Sequence, residues 1–101
     1  MFTPEETELL TLPYFNVISE DPAMYEIQSK NTKQYWAIIP AKASNGAACY
    51  KLMHTYDPAE PYHFQTYCPT ILDVILDIIN HDDYRLHRRS GYFEEIVKKY
   101  A

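Results

Sequence analysis

Short aromatic strands followed by two helical periods place this chain in the α+β class. The expected architecture is a short N-terminal helix, an antiparallel meander of four or five strands, and two C-terminal helices packed on one face of the sheet. Three observations carry it. From Tyr14 to Tyr67 the apolar pattern has a period near two and is rich in Tyr, Val and Ile. The breaks in that pattern, "SEDPAM", "NTKQ", "PAKASNGAA" and "DPAEP", are short and made of turn-forming residues, which join antiparallel neighbours. From Thr70 onward the period becomes that of a helix.

Each element has a local reason. Thr3-Pro4-Glu5-Glu6 opens a helix, with Thr3 as cap, Pro4 at the first helical position and Glu6 placed to reach back to the Thr3 amide. Pro13 favours extended backbone before it, which limits this helix to roughly two turns. Strands are expected over 14–19, 25–30, 35–39, 49–56 and 62–67. In "CPTILDVILDIIN", Thr70 is placed to cap a helix, with Asp73 three residues on. Asp73, Asp77 and Asn80 form one narrow polar stripe on it, and Ile71, Leu72, Val74, Ile75, Leu76, Ile78 and Ile79 fill the rest. So apolar a helix should be buried against the sheet, another helix or a second subunit. Asn80 suits its end. A last helix begins near Ser90, with Phe93, Ile96, Val97 and Tyr100 along one face and Glu94/Lys98 and Glu95/Lys99 as ion pairs at i, i+4.

A chain of 101 residues with 47% hydrophobic content makes one core, so a single α+β domain over 1–101 is expected. Ten tyrosines against two glycines argue for order rather than a disordered tail. The start "MFTPEETELL" lacks the basic and apolar regions of a secretory signal, and no stretch approaches the roughly 18 apolar residues of a membrane span. A cytoplasmic location with no membrane partner is expected. Cys49 and Cys68 lack CxxC spacing and read as small apolar residues. A net charge of −5 disfavours nucleic acid, which is held largely through Lys and Arg, and favours a protein partner.

The densest chemistry is "HDDYRLHRR" (81–89), which reads as a polar bridge between two helices, His81 lying at a helix end where a cation meets the negative end of the macrodipole. Arg85, Arg88 and Arg89 are the candidate anion contact within it. His54 and His63, flanked by Cys49 and Cys68, are a candidate zinc set if their side chains converge. Hairpin register decides this. A five-residue loop, "DPAEP", sets Tyr56 opposite Tyr62 and His54 opposite Phe64, with the histidines on opposite faces; a four-residue loop sets His54 opposite His63 but Leu52 opposite Gln65. Burial favours the five-residue loop, so neither metal nor cofactor is expected, and His54 becomes a hydrogen-bonded residue at the edge of the core. Ser19, Ser29, Ser44 and Ser90 lie in no nucleophile-elbow context, no glycine-rich phosphate loop exists, and no enzyme activity is expected. "SKNTKQYWAII" is read as a hairpin tip, Asn31-Thr32 suiting the turn and Trp36 and Ile38 lying in the core. Its alternative is a recognition tip carrying Lys30, Asn31 and Lys33 beside Trp36. Tyrosines that the sheet leaves exposed, Tyr35 and Tyr67 among them, are candidates for a partner surface.

The runs "LPYFNVISEDPAMYEIQSKNTKQYWAII", "YKLMHTYDPAEPYHFQTY" and "ILDVILDIINHDDYRL" resemble small uncharacterised proteins of low-GC Gram-positive bacteria and their mobile elements, in which an S-K-N-T turn precedes a Trp strand. The resemblance implies a bacterial origin and carries no activity or site residues. The helix, strands, helix order also looks like a double-stranded RNA-binding domain, from which this chain departs in its acidity and in lacking a basic start to the helix after the sheet.

These readings favour a non-enzymatic protein-binding module or small regulator, with a homodimer formed through strand tyrosines or the Ile-rich helix. The alternatives are an acidic mimic of nucleic acid that inhibits a defence enzyme, and a weak phosphate contact through Arg85, Arg88 and Arg89.

Overall fold

Thr3 caps the first helix as its sequence requires. Its Oγ1 accepts from the Glu6 amide at 3.1 Å, and Glu6 Oε1 accepts from the Thr3 amide at 2.8 Å. The computed structural model, which describes residues 2–101, continues from this helix, α1 (Pro4–Leu10), into β1 (Phe15–Ser19), β2 (Tyr25–Ser29), β3 (Tyr35–Lys42), β4 (Ala48–Thr55) and β5 (His63–Cys68), then α2 (Ile71–Arg85) and α3 (Tyr92–Tyr100). The five strands form one sheet in the order β1-β2-β3-β4-β5, each antiparallel to its neighbour. The expected α+β meander is therefore borne out. No helix among the described residues is long and apolar enough to cross a membrane.

Strand parity divides the sheet cleanly. On the inner face, Phe15, Tyr25, Ile27, Trp36, Ile38, Leu52 and Cys68 join Leu9 and Leu10 of α1, the Ile-rich side of α2 and Ile96 of α3 in one core. Ile71, Val74, Ile75, Ile78 and Ile79 are all buried, each contributing about 1.5–3 kcal/mol of gross hydrophobic stabilisation. The Ile-rich helix is thus spent on the core and is not free as a subunit interface. The outer face carries Asn16, Gln28, Tyr35 and Thr55 in one row, then Glu26, Ala37, Met53 and Phe64, then Ile39, Lys51 and Tyr67.

β3 runs three residues further than expected and includes Pro40, which pairs with Tyr50. β2 ends its pairing at Ile38, so Pro40 has a strand on one side only and its missing N–H costs no ladder bond.

The hairpin between β4 and β5 combines both registers. Tyr50, Leu52 and Cys68 follow the register of a five-residue loop, with Tyr50 opposite Cys68 and Leu52 opposite Thr66. Beyond a bulge the pairing slips by one residue, setting Met53 opposite Phe64 and His54 opposite His63. The expectation that His54 faces Phe64 is corrected. The extra residue, Gln65, lets Leu52 avoid Gln65 and still puts the histidines opposite each other.

α2 does not end at Asn80. It continues through His81, Asp82, Asp83 and Tyr84 to Arg85, so the first half of "HDDYRLHRR" is helix and not a solvated bridge. Nothing in it breaks a helix, and Asp82 and Asp83 are buried. The helix ends in a Schellman turn: the Arg88 amide donates to Asp83 O and the His87 amide to Tyr84 O, both at 3.1 Å, with His87 at φ 56° where glycine is usual. The expected Glu–Lys pairs on α3 do not form; Glu94 instead meets Arg89 at 3.0 Å, the one salt bridge among the described residues.

Candidate functional site

Two places concentrate chemistry: a polar clasp inside the fold, and an aromatic patch on the open face of the sheet. The clasp centres on Asp82, which is fully buried. Its Oδ2 accepts from the Tyr14 hydroxyl at 2.6 Å and its Oδ1 from the Thr32 hydroxyl at 2.8 Å. Asn31 Nδ2 donates to the Tyr14 oxygen at 3.2 Å, and Trp36 Nε1 donates to Ser29 Oγ at 3.0 Å. Burial pushes the Asp82 carboxyl above its ordinary range, an effect that bonds from Ser29, Tyr14 and Thr32 partly offset.

Three side chains of the S-K-N-T run, Ser29, Asn31 and Thr32, therefore face this network, and the motif is a fastening between the β2–β3 turn and α2. The reading of that tip as a recognition element is corrected for Trp36, whose side chain is buried; Asn31 stays exposed at the tip with its Nδ2 bonded to Tyr14. Lys30 and Lys33 point to solvent at the tip. The residue with positive φ is Lys33 rather than Asn31; Asn31 instead accepts from the Thr32 amide with its own Oδ1 at 2.8 Å.

Beside the clasp, His54 and His81 lie 4.8 Å apart between ring centroids, and both pack on Trp36, at 4.6 and 5.2 Å. His54 Nε2 bonds Gln34 Oε1. Burial, aided by the nearby His81, His63 and Arg85, lowers the His54 pKa to about 4, so the ring is neutral at pH 7. Among the described residues no group of three or more His, Cys, Asp or Glu side chains is arranged to hold a metal ion. Cys49 and Cys68 are free thiols.

The three arginines do not converge. Arg85 lies over the Tyr56 ring at 5.0 Å, Arg89 is engaged by Glu94, and only Arg88 and Arg89 reach the recess of about 410 Å³ beside Asp83 and His87. An anion contact through all three is not what the fold builds.

Tyrosine is used in a way the sequence did not announce. The hydroxyls of Tyr14, Tyr25, Tyr50 and Tyr62 each donate to a carboxylate, those of Asp82, Glu20, Glu6 and Glu26 respectively. Burial and these partners push the Tyr25 and Tyr50 phenols up to about 12. Much of the acidic excess is thereby engaged internally. Tyr62 reaches Glu26 on the outer side, beside the half-buried Tyr35.

Tyr67 remains free of such a partner and is 57% exposed. Ordinary alternation would put Phe64 and Tyr67, three residues apart, on opposite faces. The bulge at Gln65 turns both outward, where their rings lie 5.1 Å apart, with Lys51 Nζ 6.0 Å from the Phe64 centroid. Phe64 is 54% exposed and Ile18, near the other edge, 50%. Phe64 and Lys51 were not legible as site residues, because parity in the sequence assigned Phe64 to the core side. Comparison with known proteins adds no name: no family model, no curated protein and no solved structure matches this chain.

Proposed function

We propose that this chain is a non-enzymatic protein-binding module whose binding face is the open side of the sheet at β4 and β5. The observation that carries this reading is the Phe64–Tyr67 pair, more than half exposed on a face that no helix covers. Exposed aromatic pairs supply rigid contact area at low entropic cost, and clustered apolar exposure on a small domain marks an interaction site. Self-association belongs to the same proposal: the isoleucines of α2 are buried, and a second copy would meet the exposed rings of this face. The nucleic-acid-mimic alternative draws less support, because Asp82, Glu6, Glu20 and Glu26 already accept tyrosine hydroxyls.

Site-specific photo-crosslinking tests the proposal. A photoreactive phenylalanine replacing Tyr67 should give one adduct of defined mass in cells, absent when the probe replaces Glu8 of α1 and lost when Phe64→Glu is added. Equal labelling at both positions, or none at either, would sink the proposal. Light scattering on the purified chain then states whether the adduct's second component is another copy.

A further inference from the structure

We infer that the free edge of β5 takes an extended, acidic and apolar peptide segment of another protein as a sixth strand. The inference rests on the binding face proposed above and names its partner's chemistry. β5 hydrogen-bonds to β4 alone, so its other edge presents unpaired backbone groups. Proteins commonly guard such an edge with lysine, proline or an inward charge. Between His63 and Cys68 there is none of these; the sequence is HFQTYC, with prolines only outside it at Pro61 and Pro69. The one guard is the bulge at Gln65, which twists the edge against flat pairing with a rigid sheet but which a flexible peptide follows.

Side-chain chemistry at this edge selects the occupant. Tyr67 joins the exposed Phe64 ring on one side to a groove of about 480 Å³ on the other, walled by Lys42, Ala43, Cys49 and Cys68 and mostly apolar. A strand added at an edge gains affinity from main-chain bonds and specificity from pockets that receive alternate side chains, which is what this edge and groove provide. Charge gives the sign. In a chain of net charge −5, residues 38–56 and 61–72 contain Lys42 and Lys51 and no Asp or Glu. On the outer face of β4 and β5 Lys51 is the one charged side chain, while Asp73 and Asp77 lie against Cys68 and Gln65 on the helical side, and a segment turning carboxylates outward between apolar residues complements that face. A second copy offering its own β5 would add another Lys51 to this outer face and no outer-face acid, so self-pairing along this edge is disfavoured.

The probe is an acetylated, amidated hexapeptide alternating valine and glutamate, titrated into the ¹⁵N-labelled full chain and followed by amide shifts. Three controls accompany it: the same peptide with lysine for glutamate, a version N-methylated at alternate amides, and the Lys51→Glu variant checked for an unchanged spectrum elsewhere. Shifts should concentrate in 63–68 and around Lys42 and Cys49, and binding should weaken by about tenfold or more with the lysine peptide, reflecting the two lysines. N-methylation should abolish binding, and Lys51→Glu should narrow or reverse the charge preference. No shifts in β5 at millimolar peptide, indifference to peptide charge, or binding that survives N-methylation would each overturn the inference. So would a concentration-dependent dimer whose interface maps to β5. A Tyr67 crosslink that persists while the peptide fails would leave the open face as a binding site and remove only the added strand.

Discussion

The inner and outer faces of the sheet follow the same alternation but treat polar and aromatic groups in opposite ways. On the inner face a buried carboxylate, two histidines, a glutamine and a serine lie among apolar residues, and most of their polar atoms meet partners: Asp82 with Tyr14 and Thr32, Gln34 with His54, Ser29 with Trp36. On the outer face large rings stand in solvent with one cation beside them. A buried polar group costs about 1–3 kcal/mol if left unpaired, so pairing dominates the inner side, where His81 Nδ1 and Asp83 Oδ1 of α2 are exceptions. The outer face is under no such demand and is free to be shaped by binding. Inner changes should therefore read out as stability, and outer ones as association.

Breaking the clasp has the largest expected effect. Asp82→Ala strands the Tyr14 and Thr32 hydroxyls and detaches the S-K-N-T turn from α2, and should lower unfolding free energy by about 3 kcal/mol in urea titration. Asp82→Asn should lose less, since an amide oxygen still accepts. A loss below about 0.5 kcal/mol for Asp82→Ala would mean that the inner face is not a network.

Acid should weaken the same face through His54. Its folded pKa, about 4, lies below the ordinary histidine value of 6.5, so between these values the unfolded chain binds a proton that the folded chain refuses. Stability contributed by the neutral ring is fully present above 6.5, falls as pH drops towards 4 and levels off below. At about 1.4 kcal/mol per unit the loss amounts to about 3 kcal/mol. Comparing urea midpoints of the wild type and His54→Gln at pH 7, 5.5 and 4 isolates this slope from that of the carboxylates; parallel curves would remove His54 as its source.

Backbone strain offers a smaller, stabilising effect on the inner side. His87 ends α2 at φ 56° and Lys33 ends the S-K-N-T turn at φ 63°. Glycine relieves left-handed strain worth about 1 kcal/mol but gives back part of it in unfolded-chain entropy. His87→Gly and Lys33→Gly should each raise stability by about 0.5 kcal/mol, seen as a small upward shift in melting temperature.

The smallest effect on stability is expected outside. Phe64→Glu and Tyr67→Glu should each change unfolding free energy by under about 0.5 kcal/mol, because both rings are already in water. Phe64→Glu should also remove the Tyr67-centred crosslink, and both substitutions should remove the peptide response. A loss of several kcal/mol from either would make the patch part of the core and end the contrast between the faces.

The sequence by itself determined the elements. The capping box at Thr3, the period-two strands, the short turns and the apolar run after Thr70 are local signals, and each fixed an element because helices and hairpins are made by residues close in the chain. It also placed Trp36 and Ile38 in the core, through the same alternation that put Tyr67 outside. Only the tertiary structure decided what crosses between elements. Asp82 lies 68 residues from Tyr14 and 50 from Thr32, so nothing local marks it as their partner, and "HDDYR" looked like a solvated linker because its acids carry no sign of what will meet them. The bulge at Gln65 is the sharpest case: one unpaired residue reverses the parity of every side chain beyond it, seats His54 opposite His63, and sends Phe64 out to stand beside Tyr67. Register is settled by what the sheet packs against, and that is a property of the folded chain.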